Sequence, residues 1–139
     1  ATLMEPIAPH VASELEEIEY APIASVATGF RRDQISHPLD GFGALIPRRE
    51  HLETLGTLFS STLFPGRAPK DHVLFTSFIG GARNPRVIDH HSDALVTRVL
   101  KDLGPLLGIS GAPVYQKVQV WQRAIPQYTI GHNGRITRV

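Results

Sequence analysis

Seven histidines are the side chains here best suited to ligate a metal or move a proton near neutral pH: His10, His37, His51, His72, His90, His91 and His132. No two of them stand four apart on a helical segment, and no HExxH occurs. His90 and His91 are adjacent and point in different directions in most backbone conformations. The set reads as surface and capping residues, and no metal is expected. Gly41-Phe42-Gly43 lacks the third glycine of a dinucleotide fingerprint. Gly80-Gly81-Ala82-Arg83 carries no GKS or GKT and runs into Pro85, so both stretches read as tight turns. Ser60-Ser61 lies within an apolar run with no GxSxG elbow. Glu14, Glu16, Glu17 and Glu19 form a solvated helix face, not a paired-carboxylate site. There is no cysteine, which removes disulfides, thiolate catalysis, iron–sulfur clusters and Cys-based zinc. What remains is apolar. Leu45, Leu58 and Phe78 fall on three neighbouring strand-like runs. By residue type alone they read as ordinary core, with the wall of a flat apolar pocket as the alternative.

The elements that position these residues follow from periodicity. A helix is expected from about Pro9 to Ile18, with proline in the first turn and Val11, Leu15 and Ile18 on one face. Ile23 to Phe30 reads as a strand of small and branched residues, with so little alternation that cover on both faces is expected. Further strand-like runs are Gly41–Ile46, Leu55–Leu63 and His72–Ile79, the last two separated by the turn Phe64-Pro65-Gly66-Arg67-Ala68-Pro69. A second helix begins at Ser92, with Leu95, Val96, Val99, Leu100 and Leu103 as its apolar stripe. Gly104-Pro105 should end or kink it. A last strand is expected from Pro113 to Trp121, with Val114, Val118 and Val120 on one face and Tyr115, Lys117, Gln119 and Trp121 on the other. The fold class is therefore α+β: a mixed, largely antiparallel sheet with helices packed on one face.

A chain of 139 residues is long enough for one domain with a core. Charged residues are 19%, below the roughly 25% of an average domain, which argues against disorder. The net charge of +1 gives no electrostatic drive toward nucleic acid. No apolar run reaches the length of a membrane span. The first residues, ATLMEPIAPH, have neither the basic start nor the apolar core of a signal peptide, and the missing initiator Met suggests a piece of a longer chain.

Several segments, in order and spacing, resemble the protoporphyrinogen oxidase family: GFGALIPRRE (41–50), LGTLFSSTLFPGRAPKDH (55–72), VLFTSFIGGARNP (73–85), DLGPLLGI (102–109) and WQRAIPQYTIGH (121–132). The resemblance implies a central-to-late piece of an FAD-dependent, amine-oxidase-like flavoprotein. Such an enzyme oxidises protoporphyrinogen IX to protoporphyrin IX in haem synthesis, in successive two-electron steps, and oxygen reoxidises the flavin to give hydrogen peroxide. Residues 1–139 would then be one partial domain, mostly the substrate-binding part, with the FAD-binding Rossmann segments elsewhere in the same polypeptide. The isolated chain would be inactive and would not be expected to hold FAD. By the same resemblance, Leu45 and Leu58 pack on one face of the tetrapyrrole, Phe78 stacks on the other, and Trp121 and Val120 approach the flavin. Arg83 is left as a surface residue, since the family's propionate-pairing arginine would precede Ala1. AIPQYTIGH is read as a helix. A cytoplasmic location is expected, with the parent at a membrane periphery, and apolar surface left by the missing partner domain should drive self-association. The competing reading is a stand-alone module that binds a porphyrin or another apolar ligand without turnover.

Overall fold

Alternation along one strand decides the architecture. In β1 (Tyr20–Arg31) the side chains of Ala24, Val26, Thr28 and Phe30 are fully buried, while Ile23, Ser25 and Ala27 between them are half-buried. The computed structural model, which describes residues 1–139, places β1 between β4 (His72–Gly80) and β5 (Tyr115–Pro126). Two more strands, β3 (Thr54–Leu58) and β2 (Gly43–Leu45), extend the sheet beyond β4. The order is β2-β3-β4-β1-β5, and every pairing is antiparallel. The expected two-sided cover of β1 is not found. Only one of its two faces is closed over.

Helix α3 (Ser92–Leu107) closes that face. Leu95, Val96, Val99, Leu103 and Leu107 meet Val26, Phe30, Phe75 and Ile79 in a single core, and the rings of Phe30 and Phe59 meet Phe75 tilted and edge-on at centroid distances of 6.1 and 5.8 Å. Pro105 does not end the helix. It removes one amide from the last turn, yet burial of Leu107 holds that turn in place. The terminus is then closed by Gly108 in the left-handed conformation (φ 59°), whose amide bonds the Gly104 carbonyl. The carbonyls of Leu107 and Gly108 accept from the amides of His37 and Ser36, so the loop after β1 satisfies the helix end.

The run Leu55–Leu63 is not one strand. β3 stops at Leu58, and Ser60–Leu63 form a short helix, α2. Phe59 turns into the core. Ser60 Oγ pairs with Thr76 Oγ1 at 2.7 Å, and Ser61 Oγ accepts from the Leu74 amide at 3.0 Å. These hydroxyls stitch the turn to β4, so the apolar run reflects burial, not extension. β5 in turn runs on to Pro126, because Ala21 and Tyr20 continue to pair with Ile125 and Pro126. AIP of the AIPQYTIGH stretch is therefore strand, and helix begins only at His132. No helix is long and apolar enough to cross a membrane.

Helices α1 (Pro9–Glu16) and α4 (His132–Arg138) meet through charge. Arg138 bonds Glu14 through both oxygens, and Arg135 bonds Glu17 at 3.0 Å. The hydrogen bond from Arg138, with added attraction from Arg138 and Arg135 charge, holds the Glu14 carboxyl below the usual carboxylate range. A lowered folded-state value means that the contact contributes fully above the ordinary carboxylate value and is lost as pH falls through the folded one. In an NMR titration the Glu14 carboxyl is expected to titrate low in the unaltered chain and to return to the ordinary range in Arg138→Gln. Equal midpoints in the two proteins would remove this pairing from solution.

Candidate functional site: an apolar groove on the open sheet face

The face of the sheet opposite α3 carries the expected pocket residues. Register places them. Phe78 on β4 lies across from Ser25 on β1 and Gly56 on β3. Leu45 on β2 lies across from Gly56, and Leu58 on β3 across from Gly43. Trp121 on β5 lies across from Ile23. The side chains of Leu45, Leu58, Phe78 and Trp121 therefore project to one side and line one groove of about 840 Å³. That volume is within the range of small-molecule sites.

Gly56 gives the groove its depth. Adjacent strands are about 4.8 Å apart, so Leu45 and Phe78 stand roughly 10 Å apart across the sheet, with no side chain between them. A Cβ at Gly56 would lie 2.7 Å from the Ala44 carbonyl oxygen and 3.3 Å from Leu45 Cδ2. Any other residue there would push β2 away and fill the floor. Leu45 is 91% exposed and Trp121 54%, values out of keeping with core residues. Leu45, Leu58 and Phe78 are not part of the buried core.

Val120 is placed apart from the other four. It follows the opposite alternation of β5 and packs on the α3 side with Val118, against the core. Adjacent residues of a strand point to opposite faces, so Trp121 and Val120 do not reach the same space. Residues that sequence reasoning did not single out complete the groove: Ile23, Phe42, Leu55 and Ile125. Ile23 and Ile125 could have been found from the alternation of β1 and β5 once their buried faces were fixed.

Apart from the Trp121 indole N–H, the groove's only polar side chain is that of Ser25; Thr57 lines it with backbone, its hydroxyl pairing with Ser77 on the buried side at 2.9 Å. The groove contains no ionisable group able to transfer a proton, so its chemistry is that of shape, stacking and exclusion of water. The histidines are dispersed. His37 Nδ1 accepts from the Leu39 amide, and its ring packs on Phe59. His72 contacts the Lys70 carbonyl, and His90 lies beside Arg98. At the end of β4, Gly80 and Gly81 adopt positive φ and turn into a 3₁₀ segment, Pro85–Asp89, not into a helix N-terminus. That geometry offers no cradle for a dinucleotide pyrophosphate.

Residues 1–137 match the family of flavin containing amine oxidoreductases, and the chain belongs to that family. Within it, the chain is 42% identical over 128 residues to the mitochondrial protoporphyrinogen oxidase of Nicotiana tabacum, covering 90% of this chain and 25% of that protein. It is 44% identical over 117 residues to protoporphyrinogen oxidase 2, chloroplastic/mitochondrial, of Arabidopsis thaliana, covering 82% and 23%. Among solved structures, a provisionally assigned protoporphyrinogen oxidase from Exiguobacterium sp. 255-15 superimposes with a TM-score of 0.78 at 27% identity, covering 99% of this chain and 30% of that one. The chain thus spans about a quarter of the length of the curated relatives it matches. The names of the two plant relatives place them in organelles, so they lend no support to the cytoplasmic location expected from the sequence.

Proposed function

We propose that this chain supplies one wall of the tetrapyrrole site of an FAD-dependent protoporphyrinogen oxidase, and that its sheet is the substrate-binding part of that enzyme. One observation carries the reading: four apolar side chains from four strands converge on a single open groove beside a glycine floor. In this reading Leu45 and Leu58 pack on one face of the macrocycle and Phe78 on the other. A broad, mostly apolar ligand is held in this way by area and stacking rather than by hydrogen bonds. Trp121 marks the β5 side, where a flavin ring held by the rest of the polypeptide would lie. Val120, directed into the core, has at most an indirect part there. The bound flavin supplies the oxidation; the residues of this chain orient the macrocycle and keep water from it. Residues 1–139 form one partial domain of the longer protein. The exposed side chains of Phe42, Tyr128 and Ile130 are surface for the remaining domain, and in its absence for self-association.

The test compares the full-length flavoprotein with the 139-residue chain. The full-length protein is expected to convert protoporphyrinogen IX to fluorescent protoporphyrin IX with consumption of oxygen. The chain alone is expected to be inactive, colourless after incubation with FAD and gel filtration, and to elute as an associated species. A flavin band retained by the chain would overturn this division of labour. Saturable binding of protoporphyrin by a full-length protein that never turns over protoporphyrinogen would favour a binding module instead.

A further inference from the structure

The groove does not end at the sheet margin. A second cavity of about 440 Å³ shares Leu45, Leu55 and Ile125 with it and continues along Gly80, Gly81, Ala82 and Arg83. Among all the residues lining the two cavities, Arg83 is the one charged side chain. Every ion pair in the chain is made by Arg31, Arg49, Arg98, Arg135 or Arg138, so Arg83 has no protein carboxylate as its partner.

The backbone beneath Arg83 is fixed. The Gly81 amide bonds the Pro22 carbonyl at 2.7 Å, and the Asn84 amide closes the turn onto the Gly81 carbonyl at 3.3 Å. A Cβ on Gly80 would lie 3.1 Å from both the Pro22 carbonyl oxygen and Ile88 Cγ2, so the turn sits tightly against β1. An unpaired guanidinium is thus presented from an ordered turn at the end of an apolar groove that carries no negative charge. A guanidinium offers paired N–H donors that match the two oxygens of a carboxylate.

From this arrangement we infer that Arg83 binds a peripheral carboxylate of the ligand in the groove and so selects amphipathic, acid-bearing macrocycles over neutral ones. The inference rests on the reading of the groove as a tetrapyrrole site and adds to it a further cationic contact, distinct from the arginine that the resemblance places before Ala1.

The experiment measures binding of two porphyrins to the full-length flavoprotein by fluorescence anisotropy: protoporphyrin IX, a dicarboxylate, and its dimethyl ester, which has the same macrocycle without charge. Arg83→Gln is expected to raise the Kd for protoporphyrin IX about tenfold, the scale of one charge-assisted contact near solvent, and to leave the ester unchanged. Arg83→Lys should restore part of the loss, and added salt should shrink the difference between the unaltered protein and Arg83→Gln. Because Arg83 is exposed and unpaired in the chain, the thermal midpoint should not move. Equal Kd values for protoporphyrin IX in the unaltered and Arg83→Gln proteins, or an equal loss for both porphyrins, would overturn the role of Arg83 while leaving the groove intact. Failure of the unaltered protein to bind either porphyrin would overturn the groove reading and this inference together.

Discussion

Phe78→Ala in the full-length flavoprotein is expected to lower kcat/KM for protoporphyrinogen IX by roughly 30-fold, or about 2 kcal/mol, from lost apolar contact and stacking. Phe78 is half-buried and projects from the sheet face away from α3, with glycine beside it on β3 and serine on β1. Its removal therefore empties groove wall without unpacking the core. A contact made equally to substrate and transition state should appear in KM, with kcat nearly unchanged. Phe78→Leu keeps apolar area and loses the ring, so it should recover part of the loss. Steady-state rates followed by porphyrin fluorescence decide the matter. An unchanged kcat/KM in Phe78→Ala, with the thermal midpoint also unchanged, would remove Phe78 from the site. Leu45→Ala and Leu58→Ala should act in the same direction with smaller effects, since aliphatic side chains contribute area but no stacking.

The second large effect concerns the support of the groove. Asp102 lies on the buried side of α3, and its Oδ2 accepts three hydrogen bonds: from the Glu53 amide at 3.0 Å, the Thr54 amide at 2.8 Å and the Thr54 hydroxyl at 2.8 Å. These three donors begin β3, the strand that carries Gly56 and Leu58. Arg98, one turn earlier on α3, reinforces the join through both carboxylate oxygens of Glu53 at 2.6 and 2.8 Å. Asp102→Ala leaves the three donors unsatisfied in or near the core. At about 1–3 kcal/mol for each buried unsatisfied group, with partial relief by water, a loss of roughly 3 kcal/mol is expected. For a chain of this size that corresponds to a thermal midpoint lower by about 10 °C. Thr54→Val, which removes only the hydroxyl, should cost about 1 kcal/mol. A fall of less than about 2 °C in Asp102→Ala would show that the clamp is replaceable by solvent.

Asp102 also shows where sequence reading runs short. It lies seven residues after Leu95, on the stripe that otherwise reads as apolar, and nothing in its neighbours distinguishes a buried clamp from a solvated acid. Its partners are about fifty positions away in the chain, and only packing of α3 against the sheet brings them together. Pro105 is the converse case. Local rules place a helix end or a kink there, and burial of Leu107 with the left-handed Gly108 cap carries the helix through a last turn. Ser60-Ser61 sit in a run that looks like strand, and their hydroxyl contacts to β4 make it a turn. Period identifies β4 and α3, because each has one face fully committed to the core, whereas β1 reads as strand from its small and branched residues and shows its alternation only in the structure.

The amino-acid order alone defines the class of fold, through strand patterning and the α3 stripe, and the family, through motifs spread along the chain. It also identified Leu45, Leu58, Phe78 and Trp121 as residues of interest, by resemblance. Three-dimensional packing was needed to show that these four share one face and that Val120 does not. It alone set Gly56 as the floor between Leu45 and Phe78. The physical reason is register. Side chains alternate along every strand, so whether residues on different strands meet depends on how the strands are paired. That pairing is a property of long-range hydrogen bonds and of the packing of α3 on the other face, neither of which is written in any single segment.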